Sequence, residues 1–469
     1  MSGTTDYAVQ AHYEEHPSRA SRQVTVLVKV TAAADAPRAT VDGNAHIAEA
    51  IVLDRSGSMA DPRTKLLAAQ DAACAAVDTL PDGAMFAVLE GTYEARMVYP
   101  KEQILAPLSA RIREDTKDAI RALQPSTRGT VIGSWLDGVR ELFEPYDGLI
   151  RHTTLLTDGR NQHQTREDLD RAIEACRGVL SCDARGIGED WDGAELLHIV
   201  EALHGSAPAL SAVGDLTADF TDLMRGLMGK AIPELTLRVV CGRGVTLAGA
   251  EQFHPSMMDM AQHMSGGTGR LVDFALGPWA AETRDYILEF AADPNAAPAN
   301  PGHRIAAIEL LAGADRTRVT GQRFVDVRWI DMVRPRTEIE TRHELYRDLT
   351  RQMRAGCRAW LDERTRAALS HWLRARALAE QLNDAEARGR LDLVLRGDTV
   401  RPGLTREIVN QVLLGSTRTG LPEAPKDLPG GSGTEATVTC PECDRIAPHG
   451  AKVCERCGHK FTGGEAGTA

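Results

Sequence analysis

The sequence predicts a multidomain protein: a doubly wound α/β domain over residues 46–230, β-structure on both sides of it, a helical segment, and a small cysteine-rich tail. Three observations predict it. Apolar strand-like runs alternate with amphipathic runs of helical period from Ile51 to Met228, the rhythm of a parallel sheet with helical crossovers. From Leu235 onward period-two alternation broken by Gly, Pro and Asn replaces that rhythm, which is an all-β signature. Four cysteines then sit in two Cys-x-x-Cys pairs close to the C-terminal end. At 469 residues the chain also exceeds what one core usually organises.

Composition excludes several classes of function. Basic residues number 54 and acidic residues 66, a net charge of −12, which argues against broad electrostatic binding to nucleic acid or an anionic membrane. No run of about 18 apolar residues occurs, so no membrane span is expected. The first twenty residues, with Asp6, Glu14 and Glu15 and no apolar core, do not read as a secretory signal. A cytoplasmic protein is expected. Aromatic residues make up only 4%, so the cores must be built from Leu, Val, Ile and Ala.

Residues 1–21 are polar and unpatterned and are expected to form a loose arm. In residues 22–45, Val24, Val26, Val28 and Val30 alternate with Gln23, Thr25, Leu27 and Lys29, a half-buried strand that needs partners from elsewhere in the chain. Within 46–230 helices are expected over Asp61–Leu80, Arg111–Leu123, Val131–Phe143, Arg166–Cys176, Ala194–Leu203 and Ala218–Met228. Strands are expected at Ile51–Leu53, Ala84–Leu89, Ala95–Tyr99, Ile150–Leu156 and Cys182–Ile187, with a short one near Leu210. Over 231–335 the alternating runs Leu235–Cys241, Tyr286–Phe290, Ile305–Leu311 and Phe324–Trp329 read as a β-sandwich to which the Val24–Val30 strand contributes. Residues 336–415 carry apolar residues at helical spacing, Leu345, Leu349 and Met353, then Leu369, Trp372 and Leu373, expected to form two or three helices packed on the sandwich. Residues 416–438 are dominated by Pro, Gly, Ser and Thr and read as a flexible tether. A ribbon over 439–462 and a short tail, 463–469, complete the chain.

The segment Ile51-Val52-Leu53-Asp54-Arg55-Ser56-Gly57-Ser58 ends an apolar strand in a carboxylate followed by two hydroxyls. Ligands of open α/β sheets collect at the carboxyl ends of the strands, and three oxygens at alternate positions suit a hard cation. Arg128-Gly129-Thr130 adds a hydroxyl at the start of a later helix. Thr154-Leu155-Leu156-Thr157-Asp158-Gly159 ends another strand in a carboxylate. Together Asp54, Ser56, Ser58, Thr130 and Asp158 resemble the metal-ion-dependent adhesion site of the von Willebrand factor A (VWA) domain, Asp-x-Ser-x-Ser with a distant Thr and a distant Asp, at all five positions and in order. The surrounding β-pattern is similar to that of bacterial VWA proteins in which a sandwich made of flanking sequence carries the domain as an insertion. The resemblance implies direct metal ligation by Ser56, Ser58 and Thr130, with Asp54 and Asp158 often acting through water. Arg128 stands where the family often has a small residue, so a guanidinium near the site is expected.

Two carboxylates with three hydroxyls favour Mg²⁺, which accepts one or two carboxylates and keeps several waters; Mn²⁺ suits the same donors. Hydroxyl ligands leave the cation's charge largely uncompensated, so it would attract an Asp or Glu from a protein partner. A metal-dependent scaffold or adaptor is therefore the expected function. Substituting Ala for Asp54 or Asp158 is expected to leave the fold intact, because both carboxylates fall in loops. No catalytic motif stands beside the site: no Walker loop, no Gly-x-Ser-x-Gly elbow and no His-Glu-x-x-His helix occurs. His152 and His163 flank the Asp158 strand and read as incidental, so no enzyme is expected. An accessory subunit of a chelatase-like or ATP-driven machine is the competing reading, since some VWA domains serve chelatases.

The tail reads as a zinc ribbon. Cys440 and Cys443, then after ten residues Cys454 and Cys457, supply four thiolates for a closed tetrahedral Zn²⁺ site. A module this small cannot fold on its own core and must use the metal. Arg445, Lys452, Arg456 and Lys460 lend it basic character, but Phe461 alone offers base stacking, which favours protein contact over nucleic acid. The other cysteines, Cys74, Cys176, Cys182, Cys241 and Cys357, are expected as buried thiols.

Overall fold

In the computed structural model of the chain, the residues described are 7–32, 47–158, 160–188, 191–208, 215–230, 232–296, 302–313, 315–331, 336–419, and the strands Thr437–Thr439 and Ile446–Pro448. Strands β1 (Tyr7–Tyr13) and β2 (Gln23–Ala32) pair antiparallel, Tyr7 opposite Ala32 and Tyr13 opposite Val26. Residues 7–13, expected within a loose arm, are thus a strand. Its alternation is hidden in the sequence by polar and small residues, because only Val9 of β1 is fully buried.

The α/β domain begins at β3 (Ile47–Asp54), buried along its whole length. It continues through α1 (Thr64–Thr79), β4 (Met85–Gly91), β5 (Ala95–Tyr99), β6 (Ala106–Pro107), α2 (Ala110–Arg121), α3 (Ile132–Phe143), β7 (Ile150–Thr157), α4 (Arg166–Cys176), β8 (Ser181–Gly186), α5 (Gly193–Ala202) and α6 (Leu216–Gly229). The strand order is β5-β4-β3-β7-β8, with β6 on β4. β3 lies parallel to β4 and β7, β7 parallel to β8, and only β5 and β6 run antiparallel. Alternation along each central strand sends residues to two apolar cores. Ala48, Ala50 and Val52 pack with α3, α4 and α5, whereas Ile47, Ile51 and Leu53 pack with α1, α2 and α6. α1 starts at Thr64, after Pro62, not at Asp61 as the sequence suggests. The strand expected near Leu210 lies outside the described residues.

After α6 come β9 (Leu235–Cys241), β10 (Val245–His254), β11 (Met258–Asp259), β12 (Met264–Gly266), β13 (Leu271–Ala275), β14 (Thr283–Ala292), β15 (His303–Ala312), β16 (Thr317–Arg318) and β17 (Arg323–Val327). They form two antiparallel sheets, one ordered β1-β2-β14-β10-β11 and the other β12-β13-β9-β15-β16, with β17 on β15. Val24, Val26, Val28 and Val30 of β2 share one core with Tyr286, Leu288 and Phe290 of β14 and with Leu237, Val239, Ile308 and Leu310 of the second sheet. β10, β12 and β13 escape the sequence reading because Gly, Gln, Asp and His interrupt their alternation.

The outer face of the first sheet is covered by helices. α7 (Glu338–Leu361), opened by a Thr337–Glu340 capping box, and α8 (Thr365–Gln381) precede α9 (Ala385–Asp392) and α10 (Arg406–Gly415). Leu27 and Ile287, whose neighbours in sequence face the inner core, point outward to Tyr346, Leu349, Met353 and Trp372. α10 bridges two cores: Val409, Val412 and Leu413 pack with these helices, Leu414 with the α/β domain. Residues Met1–Leu421 form one compact unit and Pro422–Ala469 a second. Within the second, Thr437–Thr439 pairs antiparallel with Ile446–Pro448. Cys440, Cys443, Cys454 and Cys457, the expected zinc ligands, lie outside the described residues.

Candidate metal centre

β3 ends at Asp54 beside Gly91 of β4, and β7 ends one residue before Asp158, so the two carboxylates stand at the carboxyl edge of adjacent parallel strands. The chain after β3 turns back on the edge through three backbone bonds: Arg55 N–H to the Gly91 carbonyl, Ser126 N–H to that of Arg55, and Gly57 N–H to that of Arg128, at 3.0, 2.7 and 3.2 Å. The Thr130 loop is fixed from both sides. Val131 N–H and the Trp135 indole N–H both donate to the Thr92 carbonyl, at 3.1 and 2.6 Å, and Gln162 N–H donates to the Thr130 carbonyl at 3.1 Å.

These turns bring together all five side chains that the sequence singles out. Ser56 Oγ is 3.0 Å from Ser58 Oγ, and Ser58 Oγ donates to Asp158 Oδ1 at 2.7 Å. Asp54 Oδ1 accepts from the Ser56 N–H at 2.8 Å, and Thr130 Oγ1 is 3.5 Å from Asp54 Oδ2. The donor set is all oxygen, two carboxylates and three hydroxyls, which fits a hard divalent cation. Among the described residues no three His, Cys, Asp or Glu side chains group so as to hold a metal ion, so a cation at this edge depends on the hydroxyls.

Burial is the main electrostatic fact here. Asp54 and Asp158 are fully buried, not loop-exposed as their position in the sequence suggests. Desolvation pushes the Asp54 carboxyl up to about 6, against the hydrogen bonds from Thr157 and Ser56 and with the help of the Asp158 charge. A bound cation would favour the ionised form. Substitution by Ala at either position therefore disturbs a buried network and not an exposed loop.

Two participants escaped the sequence reading. Thr157 Oγ1 donates to Asp54 Oδ2 at 2.6 Å; its place one residue before Asp158 was the available signal. Lys65, in the first turn of α1, sets its ammonium 2.9 Å from Asp158 Oδ2 with the side chain 8% exposed. Arg128, by contrast, is turned away: its guanidinium stands 3.8 Å from Glu94 on the surface, and only its backbone carbonyl serves the site. His163 meets the Tyr93 ring edge to face at 5.1 Å between centroids.

His152 is not incidental. At the amino end of the same sheet its Nδ1–H donates to Glu49 Oε2 at 2.5 Å and its Nε2–H to Asp183 Oδ2 at 2.7 Å, all three groups buried. Thr154 Oγ1 donates to the other Glu49 oxygen at 2.8 Å, and the Ser206 N–H to Asp183 Oδ1 at 2.7 Å. Burial lowers the imidazole's proton affinity, but the two carboxylates outweigh it and hold His152 up at about 9. Asp183 is held well below the carboxylate range: burial opposes ionisation, but the His152 hydrogen bond and charge overcome it. Glu49, a charge inside an apolar strand, was the sequence signal that His152 had a partner.

The model for the von Willebrand factor type A domain matches residues 49–208. Among solved structures, the chain is similar to a von Willebrand factor type A protein from Catenulispora acidiphila, at 29% identity and a TM-score of 0.80, over 89% of this chain and 98% of that one. It shares its fold with the ArnB paralog VWA2 from Sulfolobus acidocaldarius, at 12% identity and a TM-score of 0.51, over 88% of this chain and 98% of that one. No curated protein matches the chain. With its strand order, its five gathered side chains and this match in place, the α/β unit over residues 49–208 is a von Willebrand factor type A domain.

Proposed function

We propose that this protein is a metal-dependent interaction module, a scaffold or adaptor whose VWA domain holds Mg²⁺ or Mn²⁺ among Asp54, Ser56, Ser58, Thr130 and Asp158 and receives an Asp or Glu of a protein partner on it. The observation that carries the reading is the convergence of five oxygen-bearing side chains from three separate segments at one edge of the sheet, with Ser58 Oγ 2.7 Å from Asp158 and Ser56 Oγ 3.0 Å from Ser58. Hydroxyl ligands add no negative charge, so a divalent ion held there keeps its attraction for an incoming carboxylate, and burial strengthens that attraction. The module binds and does not catalyse: His152 is engaged by Glu49 and Asp183, away from this edge. We read the two antiparallel sheets as one sandwich that carries the domain as an insertion, and Cys440, Cys443, Cys454 and Cys457 as ligands of a tail Zn²⁺ that serves protein contact. We place the protein in the cytoplasm; among the described residues no helix is long and apolar enough to cross a membrane.

Affinity capture from the source cell with and without EDTA tests the reading. Partners should be lost with chelator and regained with Mg²⁺ or Mn²⁺. Asp54→Asn, which keeps the shape and one acceptor oxygen, should lose metal and partner together while the protein stays folded. Asp158→Ala should also unfold more readily, because it removes a buried carboxylate that both Ser58 and Lys65 bond. Capture of the same partners at equal strength by chelated protein and by Asp54→Asn would sink the reading. Co-purification of an ATPase would move it to an accessory subunit.

A further inference from the structure

The Asp158 carboxylate is divided between two tasks. Oδ1 faces the hydroxyls, 2.7 Å from Ser58 Oγ, and Oδ2 faces the Lys65 ammonium at 2.9 Å. Lys65 is an unusual residue to bury in the first turn of a helix, and the fold makes room for it. Gly188, just past β8, has φ +74°, and a Cβ there would come within 2.7 Å of the Lys65 Cε, so the lysine stem lies against a bare backbone. Trp191 holds that backbone, its indole N–H donating to the Gly188 carbonyl at 2.8 Å. Its ring lies on Gly186, where a Cβ would come within 2.2 Å of it. The ammonium is therefore fixed on the far side of the carboxylate from the hydroxyls, and a divalent ion and Lys65 can share Asp158 without exchanging places.

We propose that Lys65 is a permanent positive charge of the metal centre, which weakens its hold on the divalent ion and strengthens the loaded site's hold on an acidic ligand. This rests on the metal-site reading above. Relative to a neutral side chain, Lys65 makes the centre one unit more positive at every stage. Before loading, that charge repels the cation across a buried carboxylate, where solvent screens little. After loading, the same charge adds to the cation's pull on an incoming Asp or Glu. The attraction between cation and carboxylate couples the two binding steps; the lysine charge shifts the steps in opposite directions, weakening the first and strengthening the second.

The test uses the full chain and Mn²⁺, followed by its electron paramagnetic resonance signal, with acetate as the carboxylate probe. Lys65→Met removes the charge and keeps the stem; Lys65→Gln removes the charge and keeps a donor for Asp158, and serves if the Met variant does not fold. Lys65→Arg keeps the charge. The neutral variants should bind Mn²⁺ at least about tenfold more tightly than wild type, and acetate should enhance their Mn²⁺ affinity less than it does in wild type. Lys65→Arg should stay within about threefold of wild type. Neutral variants with unchanged or weaker Mn²⁺ affinity overturn the Lys65 role while leaving the metal site standing. An arginine variant that behaves like the neutral ones overturns it equally. If neither wild type nor any variant binds Mn²⁺ at millimolar concentration, the metal-site reading itself fails.

Discussion

Asn410 of α10 donates its side-chain N–H to the Trp191 carbonyl at 2.9 Å, buried, across 219 residues of sequence. The bond ties the last helix of the large unit to the loop that supports Lys65. Asp192, next in that loop, accepts from the Ala194 and Glu195 N–H groups at 2.9 and 3.2 Å and so caps α5. Asn410→Ala leaves a buried carbonyl without its donor. It should destabilise the unit by about 1–3 kcal/mol, read as a lowered denaturant midpoint with unchanged slope. A midpoint equal to wild type would show that the loop is held without α10.

The Glu49–His152–Asp183 cluster makes stability depend on alkaline pH. His152 is held up at about 9 in the folded protein, above the ordinary imidazole value of about 6.5, so the native state binds the extra proton between these values. The stabilisation is complete below about 6.5 and is lost as pH rises through about 9. Melting temperature should therefore fall across that window in wild type. His152→Gln should flatten this slope, and should lower stability at neutral pH by about 3–5 kcal/mol because it removes the cation that buried Glu49 and Asp183 share, leaving Asp183 to the more distant Arg185. Parallel pH profiles for the two proteins would rule the cluster out as the source.

Deletion of residues 1–33 should damage the body far from the deletion. β2 is an interior strand, bonded to β1 on one edge and to β14 on the other. Its four inward valines belong to the core between the sheets, and Leu27 to the helical core. The truncated chain should aggregate or melt well below the full one, since β14 would present a bare edge. An unchanged melting curve would mean that neither sheet needs the strand.

The tail should behave independently. One Zn²⁺ per chain is expected by elemental analysis of protein kept reduced, and Cys440→Ser should abolish it. The main melting transition should stay in place, because residues 422–469 form a unit of their own. Loss of zinc accompanied by a large drop in that transition would place the metal elsewhere.

Much of the frame is legible in the chain because it follows from local rules. The run Ile51–Leu53 needs burial on both faces and so announces a central parallel strand. α4, Arg166–Cys176, is bounded as the sequence suggests because Thr165 and Asp168 make a complete capping box. The valines of β2 reveal its buried face by alternation alone. β1 gives a fainter signal: Tyr7, Val9, Ala11 and Tyr13 face the sandwich core in alternation, but only Val9 is fully buried.

The five site residues were likewise named from the sequence, through their resemblance to the VWA adhesion-site pattern. That resemblance implied that Asp54, Ser56, Ser58, Thr130 and Asp158 would share one edge of the sheet. Only the tertiary structure decided the charge around them. Lys65 and Arg128 are both cations near the motif in sequence, yet Lys65 reaches Asp158 and Arg128 turns to Glu94. Burial likewise set Glu49 and Asp183 on the two sides of His152, each from a different strand. Periodicity specifies which face of an element is apolar; which buried charges meet depends on strand register and helix placement across the whole domain, and no local stretch of sequence carries that information.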